Sequence, residues 1–397
     1  MHSKLLFAAI LLVSMILPFT QADCGTAYPW VEPAVRKFAE PMYTSARKSE
    51  QSNSAALKAI KGIKWGKFPP GMEQVTLKVV DEDKINMTVD RVSNPNQPYK
   101  PVGMLKVLER AVRTHEKELV QLLKDKAEPL VFIVESEDFP IVFKHERWKL
   151  PAFAMCTDEA HIDIPVPDFT FEDYPETSYA NTSFWAIKEL LLHKESMVPW
   201  SKRQRNVFMR HFGGVGYRKT LLPVLIGHQQ NGTDSENLGL KTDVVDTGFV
   251  TSNQKDFVWL DRQCTYRYLL HTAGFSYSAG LKYKLACGSV VLLFESKYQE
   301  FYYPALKPGE HYESFPEADA DTLHKNVFPQ IKARLHKLEA EHHDNRPDMA
   351  QAARDFARSQ LTQEALSCYW LKALIVYSKI FYLPSRHAVP TSITFDL

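Results

Sequence analysis

VWLDRQCTYRYLLHTAGFSYSAGLKYKLACGSVVLLFESKYQEFYYPALKPGEHYESF, residues 258–315, carries a strand, a loop of small residues, a helix and a second strand in unbroken succession. Val258–Leu260 reads as a short apolar strand ending at Asp261, and Val290–Phe294 as a buried parallel strand, since an all-apolar run fits a sheet covered on both faces. Between them Gly274, Phe275, Ser276, Tyr277, Ser278, Ala279 and Gly280 form a loop whose backbone can approach a ligand, opening a helix that ends near Cys287-Gly288. Backbone N–H groups at a helix start suit a diphosphate, so the unit reads as a mononucleotide-binding βαβ. The plain alternative is any βαβ crossover with a loose connecting loop.

Upstream, Pro199–Arg205 is a basic linker that places a domain boundary. Phe212, Gly213, Gly214 and Gly216 then sit between Arg210 and Arg218. Glycines and arginines are common in surface loops, but a guanidinium can hold two phosphate oxygens at once, which makes Arg218 a candidate diphosphate contact. Leu221–Ile226 is the expected next strand. Further upstream, the apolar run Leu130–Val134 is followed at its carboxyl end by Glu135, Glu137 and Asp138. Ligands of open α/β sheets sit at that edge, so a carboxylate there is placed for proton transfer, or else simply caps a turn. Met104–Leu123 spaces its leucines as one amphipathic helix, and Gln74–Val80 with Ile85–Val89 alternate as a hairpin.

At 397 residues, 45% hydrophobic and 12% aromatic, the chain is long enough for two domains, and a formal charge of +1 argues against a nucleic-acid-binding surface. Residues 1–22, with Lys4, the apolar run Leu5–Leu17 and Thr20-Gln21-Ala22, read as a signal peptide. Sequons at Asn86, Asn181 and Asn231 agree with a secretory route. The five cysteines, Cys24, Cys156, Cys264, Cys287 and Cys368, are odd in number, so an oxidising compartment leaves at least one unpaired. Asp81 and Asp83 fall in a turn. Asp319 and Asp321 read as a helix N-cap rather than a metal pair, and no zinc pattern is present.

Cys264-Thr-Tyr-Arg-Tyr, Gly274-Phe-Ser-Tyr-Ser, Lys282-Tyr, Leu285-Ala-Cys-Gly-Ser, Tyr298, Glu300-Phe and Leu306-Lys-Pro-Gly-Glu-His-Tyr together resemble the core of the Rumi-type protein O-glucosyltransferases and the capsule-associated glycosyltransferases, with thinner similarity over 130–383. The resemblance implies an α/β GT-B-like fold: two Rossmann-like domains facing across a cleft, with a C-terminal helix closing the core. Its expected parts are an acceptor-side domain at 23–205, a UDP-sugar-binding domain at 206–350 and a helical segment at 351–397. It implies transfer of glucose or xylose from a UDP-sugar to a hydroxyl of a secretory-pathway glycoprotein or EGF-like domain, in the endoplasmic reticulum lumen or beyond it, with no metal or other cofactor.

By the same resemblance, Asp138 is the general base, with Glu135 and Glu137 as competitors. Phe212, Gly213, Gly214, Arg218, the 275–280 loop and Lys282 would hold the diphosphate. Glu300 would either accept from the ribose hydroxyls or stand as an exposed helix carboxylate. Cys264 and Cys287 would pair and clamp the nucleotide loop, Cys24 would pair with Cys368, and Cys156 would remain a buried thiol. The 158–171 stretch resembles the acceptor-side loop, but the Trp-rich segment expected after it is replaced by Tyr174–Tyr179. Gly280 stands where animal relatives carry arginine, which leaves the donor sugar open. A catalytically inactive luminal lectin or folding helper is the second reading. A secreted hydrolase is a third, weakened by the lack of a Gly-x-Ser-x-Gly elbow.

Overall fold

A computed structural model describes residues 24–46, 52–63, 71–91, 97–146, 150–175, 177, 179, 181–248 and 258–382. The expected signal peptide lies outside these residues. The fold is mixed α/β, built on two five-stranded sheets.

In the first sheet, β1 (Met72–Asp81) and β2 (Lys84–Arg91) form the expected hairpin, and β3 (Leu130–Glu135) lies antiparallel on the other side of β1. Two short strands, β4 (Phe153–Ala154) and β5 (Ile164–Pro165), continue it in parallel. The helix Gln363–Phe381 returns to this sheet. Phe153 meets Trp370 and Tyr377 ring to ring, and Tyr377 donates to the Val131 carbonyl at 3.0 Å. Aromatic burial of this kind, together with the Cys24–Cys368 bridge, holds the C-terminal helix in place.

The second sheet is wholly parallel: β6 (Gln204–His211), β7 (Thr242–Asp246), β8 (Tyr266–His271), β9 (Val290–Glu295) and β10 (Glu313–Pro316), in spatial order β7-β6-β8-β9-β10. Successive crossovers therefore run one way from β6 to β7 and the other way from β8 onward. That reversal leaves a crevice beyond the carboxyl ends of β6 and β8, the usual ligand position in a doubly wound sheet. The segments 212–218 and 272–280 start there.

Three sequence expectations are corrected. Val258–Leu260 is no strand: Leu260–Gln263 is a short helix, and the strand is β8. All six β8 residues are buried, including Arg267, whose guanidinium is neutralised by Glu339 at 3.1 Å, so a charge in the sequence disguises a core strand. Leu221–Ile226 belongs to the helix Arg218–Asn231. Leu221, Leu222 and Leu225 share its buried face at helical spacing, while Pro223 falls on the exposed side. The strand in this region is β6, which begins inside the basic linker, and the 205/206 boundary falls within it. Finally, Met104–Leu123 is two helices, Tyr99–Thr114 and Glu116–Leu123, broken at His115 with φ −114°.

Candidate active site

The loop after β3 is set by its own polar groups. Ser136 bonds the Gly71 carbonyl through both N (3.0 Å) and Oγ (2.8 Å), and Glu135 Oε1 accepts from the Glu137 amide at 2.7 Å. Asp138 follows. Its carbonyl accepts from Ser276 Oγ and from Cys156 Sγ, the latter at 3.3 Å, which joins this loop directly to the 274–280 loop of the other sheet. With its backbone pinned, Asp138 projects its carboxylate to within 2.9 Å of Lys100 Nζ, contributed by the helix Tyr99–Thr114. The Lys100 ammonium also lies over the Phe169 ring at 5.7 Å.

The other two carboxylates differ in setting. Glu135 is fully buried, and burial pushes its carboxyl up to about 8. Glu137 is half-buried and is raised by the same cause. Asp138 is the one of the three that lines the main cleft, a space of about 420 Å³. Its other walls include Lys100, Tyr174, Phe212, Arg218 and the loop residues Phe275 and Ser278.

Arg218 bridges the two loops of the parallel sheet: Nη2 lies 3.0 Å from Ser278 Oγ and 3.4 Å from the Thr272 carbonyl, and Nη1 lies 3.5 Å from the Phe212 carbonyl. The loops pack so closely that Gly216, with φ +48°, could carry no Cβ without colliding with the Gly274 carbonyl. Gly213 donates to Asp246 Oδ1 at 2.9 Å, and a Cβ there would also collide with that carboxylate. Gly214 is exposed, with the space a Cβ would take filled by the Phe212 ring. Gly213 and Gly216 thus serve packing against neighbouring segments, whereas Gly214 meets Phe212 of its own loop. A second space of about 190 Å³ adjoins the cleft, sharing Arg218 and Ser278 and adding Trp259, His211, Lys284 and Gly280.

Phe275, Tyr277, Ser278 and Ala279 line the main cleft, while Ser276 is buried and spent on Asp138. Two expected ligand contacts lie elsewhere. Lys282 is 0% exposed, held at 3.3 Å from both oxygens of Asp168 and 4.4 Å above the Phe171 ring. Because Asp168 also accepts from the Thr170 amide, Lys282 anchors the 168–171 turn. Glu300 is neither a ribose contact on the cleft wall nor an exposed carboxylate. It is 1% exposed, accepts from Tyr302 OH at 3.2 Å, and burial holds its carboxyl well above the ordinary range.

Both expected disulfides are formed, Cys24–Cys368 and Cys264–Cys287, and Cys156 is free and buried. The second differs in position from expectation. Cys264 precedes β8 and Cys287 precedes β9, so the bridge lies at the amino edge of the sheet, opposite the nucleotide loop at the carboxyl edge. Asn86, Asn181 and Asn231 are all exposed. Asp319 caps its helix by accepting from the Thr322 amide at 2.7 Å, and Asp81 ends β1 at the hairpin turn. Neither Asp-x-Asp pair lines the cleft. Among the described residues no helix is long and apolar enough to cross a membrane.

The sequence motifs do not single out Lys100, His211, His271 or Lys284. Their roles depend on side chains brought together from separate elements.

The family model for Glycosyl transferase family 90 matches residues 109–394. Over 272 residues the chain is 27% identical to the O-glucosyltransferase rumi homolog of Aedes aegypti, covering 62% of this chain and 61% of that protein. Over 259 residues it is 26% identical to Protein O-glucosyltransferase 1 of Homo sapiens, covering 62% of each. Over 242 residues it is 26% identical to O-glucosyltransferase rumi of Drosophila melanogaster, covering 58% of this chain and 55% of that protein. The chain thus spans about three fifths of the length of these curated relatives.

Proposed function

The chain belongs to glycosyl transferase family 90, and from that premise we propose that it is an inverting UDP-sugar transferase that moves glucose or xylose to a hydroxyl, a serine above all, of a secretory-pathway protein such as an EGF-like repeat. The observation that carries this reading is that Asp138 and Arg218 line one cleft, although they come from opposite sheets. The two sheets then correspond to the two lobes of a GT-B-like enzyme, with the acceptor entering on the Asp138 side.

In the reaction, the acceptor hydroxyl loses its proton to the Asp138 carboxylate as its oxygen bonds the sugar's anomeric carbon. The bond from that carbon to the diphosphate breaks on the opposite face, its electron pair leaves with UDP, and the anomeric configuration inverts. Stabilisation of the departing charge comes from donors fixed in advance: the Arg218 guanidinium and the backbone N–H groups of the 275–280 loop. A single displacement of this kind needs one base on one side and a cationic, donor-rich wall on the other. On this reading the protein's own residues supply both. The sequons and the expected leader suit action in the endoplasmic reticulum lumen or later in the secretory route.

The test is incubation of the purified protein with a panel of UDP-sugars, following UDP release with and without EGF-like acceptor peptides. Acceptor-dependent release with one donor is the expected result. Failure of every donor to bind or turn over would overturn the proposal in favour of a non-catalytic binding role.

A further inference from the structure

Under the 274–280 loop three basic side chains converge. Lys284 Nζ lies 2.8 Å from His211 Nε2, 3.2 Å from His271 Nδ1 and 2.9 Å from the Leu270 carbonyl. In its charged form Lys284 has three N–H bonds and no acceptor, so each imidazole then accepts through the nitrogen named, and a diphosphate is met by the charge or by one N–H turned from these partners. His271 then carries its hydrogen on Nε2, which is buried and has no hydrogen-bond partner. Lys284 is 4% exposed yet forms part of the wall of the 190 Å³ space that Arg218, Ser278 and Gly280 also line.

The surrounding charges do not balance this cluster. Arg218 approaches from the segment after β6 and adds a further positive charge. Arg210 of β6 is engaged by Asp243 of β7 at 2.6 Å, and Asp246, at the end of β7, accepts from the Gly213 and Gly248 amides. Among the described residues no carboxylate forms an ion pair with Lys284. A buried cation without a counter-ion is costly, and burial followed by Arg218 drives Lys284 well below its ordinary range. Burial and then Lys284 do the same to both histidines.

Such a group is completed by an anion. We propose that Lys284, held by His211 and His271, is the second cation of the donor site and that it takes the diphosphate of a nucleoside diphosphate jointly with Arg218. This rests on the reading of the cleft as the donor site, and it assigns to Lys284 the role that Lys282, engaged by Asp168, does not fill. An arriving diphosphate favours the ammonium form of Lys284, which the two neutral imidazoles accept from, so binding draws a proton from solution and affinity falls as pH rises.

The test is calorimetric titration of UDP and of uridine into wild type, Lys284→Met and Lys284→Arg, each in two buffers of different protonation enthalpy. Wild type should bind UDP with net proton uptake. Lys284→Met should lose about tenfold or more in UDP affinity, the value of one charge-assisted contact, and lose the uptake while uridine affinity stays put. Lys284→Arg should recover part of the affinity. Should Lys284→Met melt before it can be titrated, His271→Asn is read instead, with reduced proton uptake as the expected result. Unchanged UDP affinity and unchanged uptake in the folded variant would overturn the inference and leave the donor-site reading standing. Absence of UDP binding by wild type would overturn both.

Discussion

Lys100 Nζ stands 2.9 Å from Asp138 Oδ1, in an ion pair whose lysine is 4% exposed and whose carboxylate is 36% exposed. The buried partner is fixed by the Tyr99–Thr114 helix and by Phe169, so the carboxylate is aimed while one oxygen remains available to the cleft. Asp138→Asn keeps the shape and removes the base. Its UDP affinity should match wild type while turnover falls by about 10²- to 10⁴-fold, the range for a lost general base. Unimpaired transfer would remove Asp138 from the mechanism.

Lys100→Met should leave the UDP dissociation constant unchanged and lower kcat more than it raises KM for the acceptor, because it releases the base from its orientation without touching the donor wall. Lys100→Arg should restore part of the rate, since a guanidinium can renew the pair. Equal and full activity in both variants, measured by UDP release at saturating donor, would show that the pair does not orient the base.

Arg218→Ala should weaken UDP binding by about tenfold or more, since it removes a cation that is already directed at the donor loop. The same side chain links Phe212, Thr272 and Ser278, so the melting temperature should fall as well. Titration with UDP alongside a thermal melt separates the two effects, and an unaltered dissociation constant in a folded variant would refute the contact.

How far these parts are legible in the sequence follows from how local each one is. The small-residue run 274–280 and the Glu135-Ser-Glu-Asp138 edge at the end of β3 announce themselves, because backbone approach and strand termination are written in consecutive residues. Which lysine serves the cleft is not written that way. Lys282 and Lys284 stand two residues apart on one helix, hence about 200° apart around its axis, and only packing decides that Lys282 turns to Asp168 while Lys284 turns to the sheet ends. Arg267 hides β8 for a related reason: its counter-charge, Glu339, comes from a helix 72 residues away. Lys100 meets Asp138 across 38 residues with no motif to link them.

The Cys264–Cys287 bridge closes 23 residues of sequence at the edge of the sheet away from the cleft. Converting both cysteines to serine should lower stability by about 3 kcal/mol, the chain-entropy value for a loop of this length. UDP affinity should change by less than about twofold, because Arg203 separately holds the Cys287 and Gly288 carbonyls at 2.9 and 2.8 Å and a change of that size is under ~0.5 kcal/mol. A large loss of UDP binding with little loss of stability would instead place the bridge's effect at the nucleotide loop.

Glu135 makes stability depend on pH in a predictable direction. In the fold its carboxyl is pushed up to about 8 by burial, whereas in the unfolded chain it returns to its ordinary value near 4.5. Between those limits the unfolded chain is ionised and the folded one keeps its proton, so folding takes up a proton and stability declines as pH rises from about 5 to about 8, levelling off above that. Each unit of displacement corresponds to ~1.4 kcal/mol. Glu135→Gln retains an acceptor for the Glu137 amide and cannot ionise, so its denaturation midpoint should vary less than wild type's across the same window and overtake it at the alkaline end. Parallel pH profiles for the two proteins, measured by chemical denaturation, would show that Glu135 is ionised throughout and that its neighbours, not its burial, govern the carboxyl.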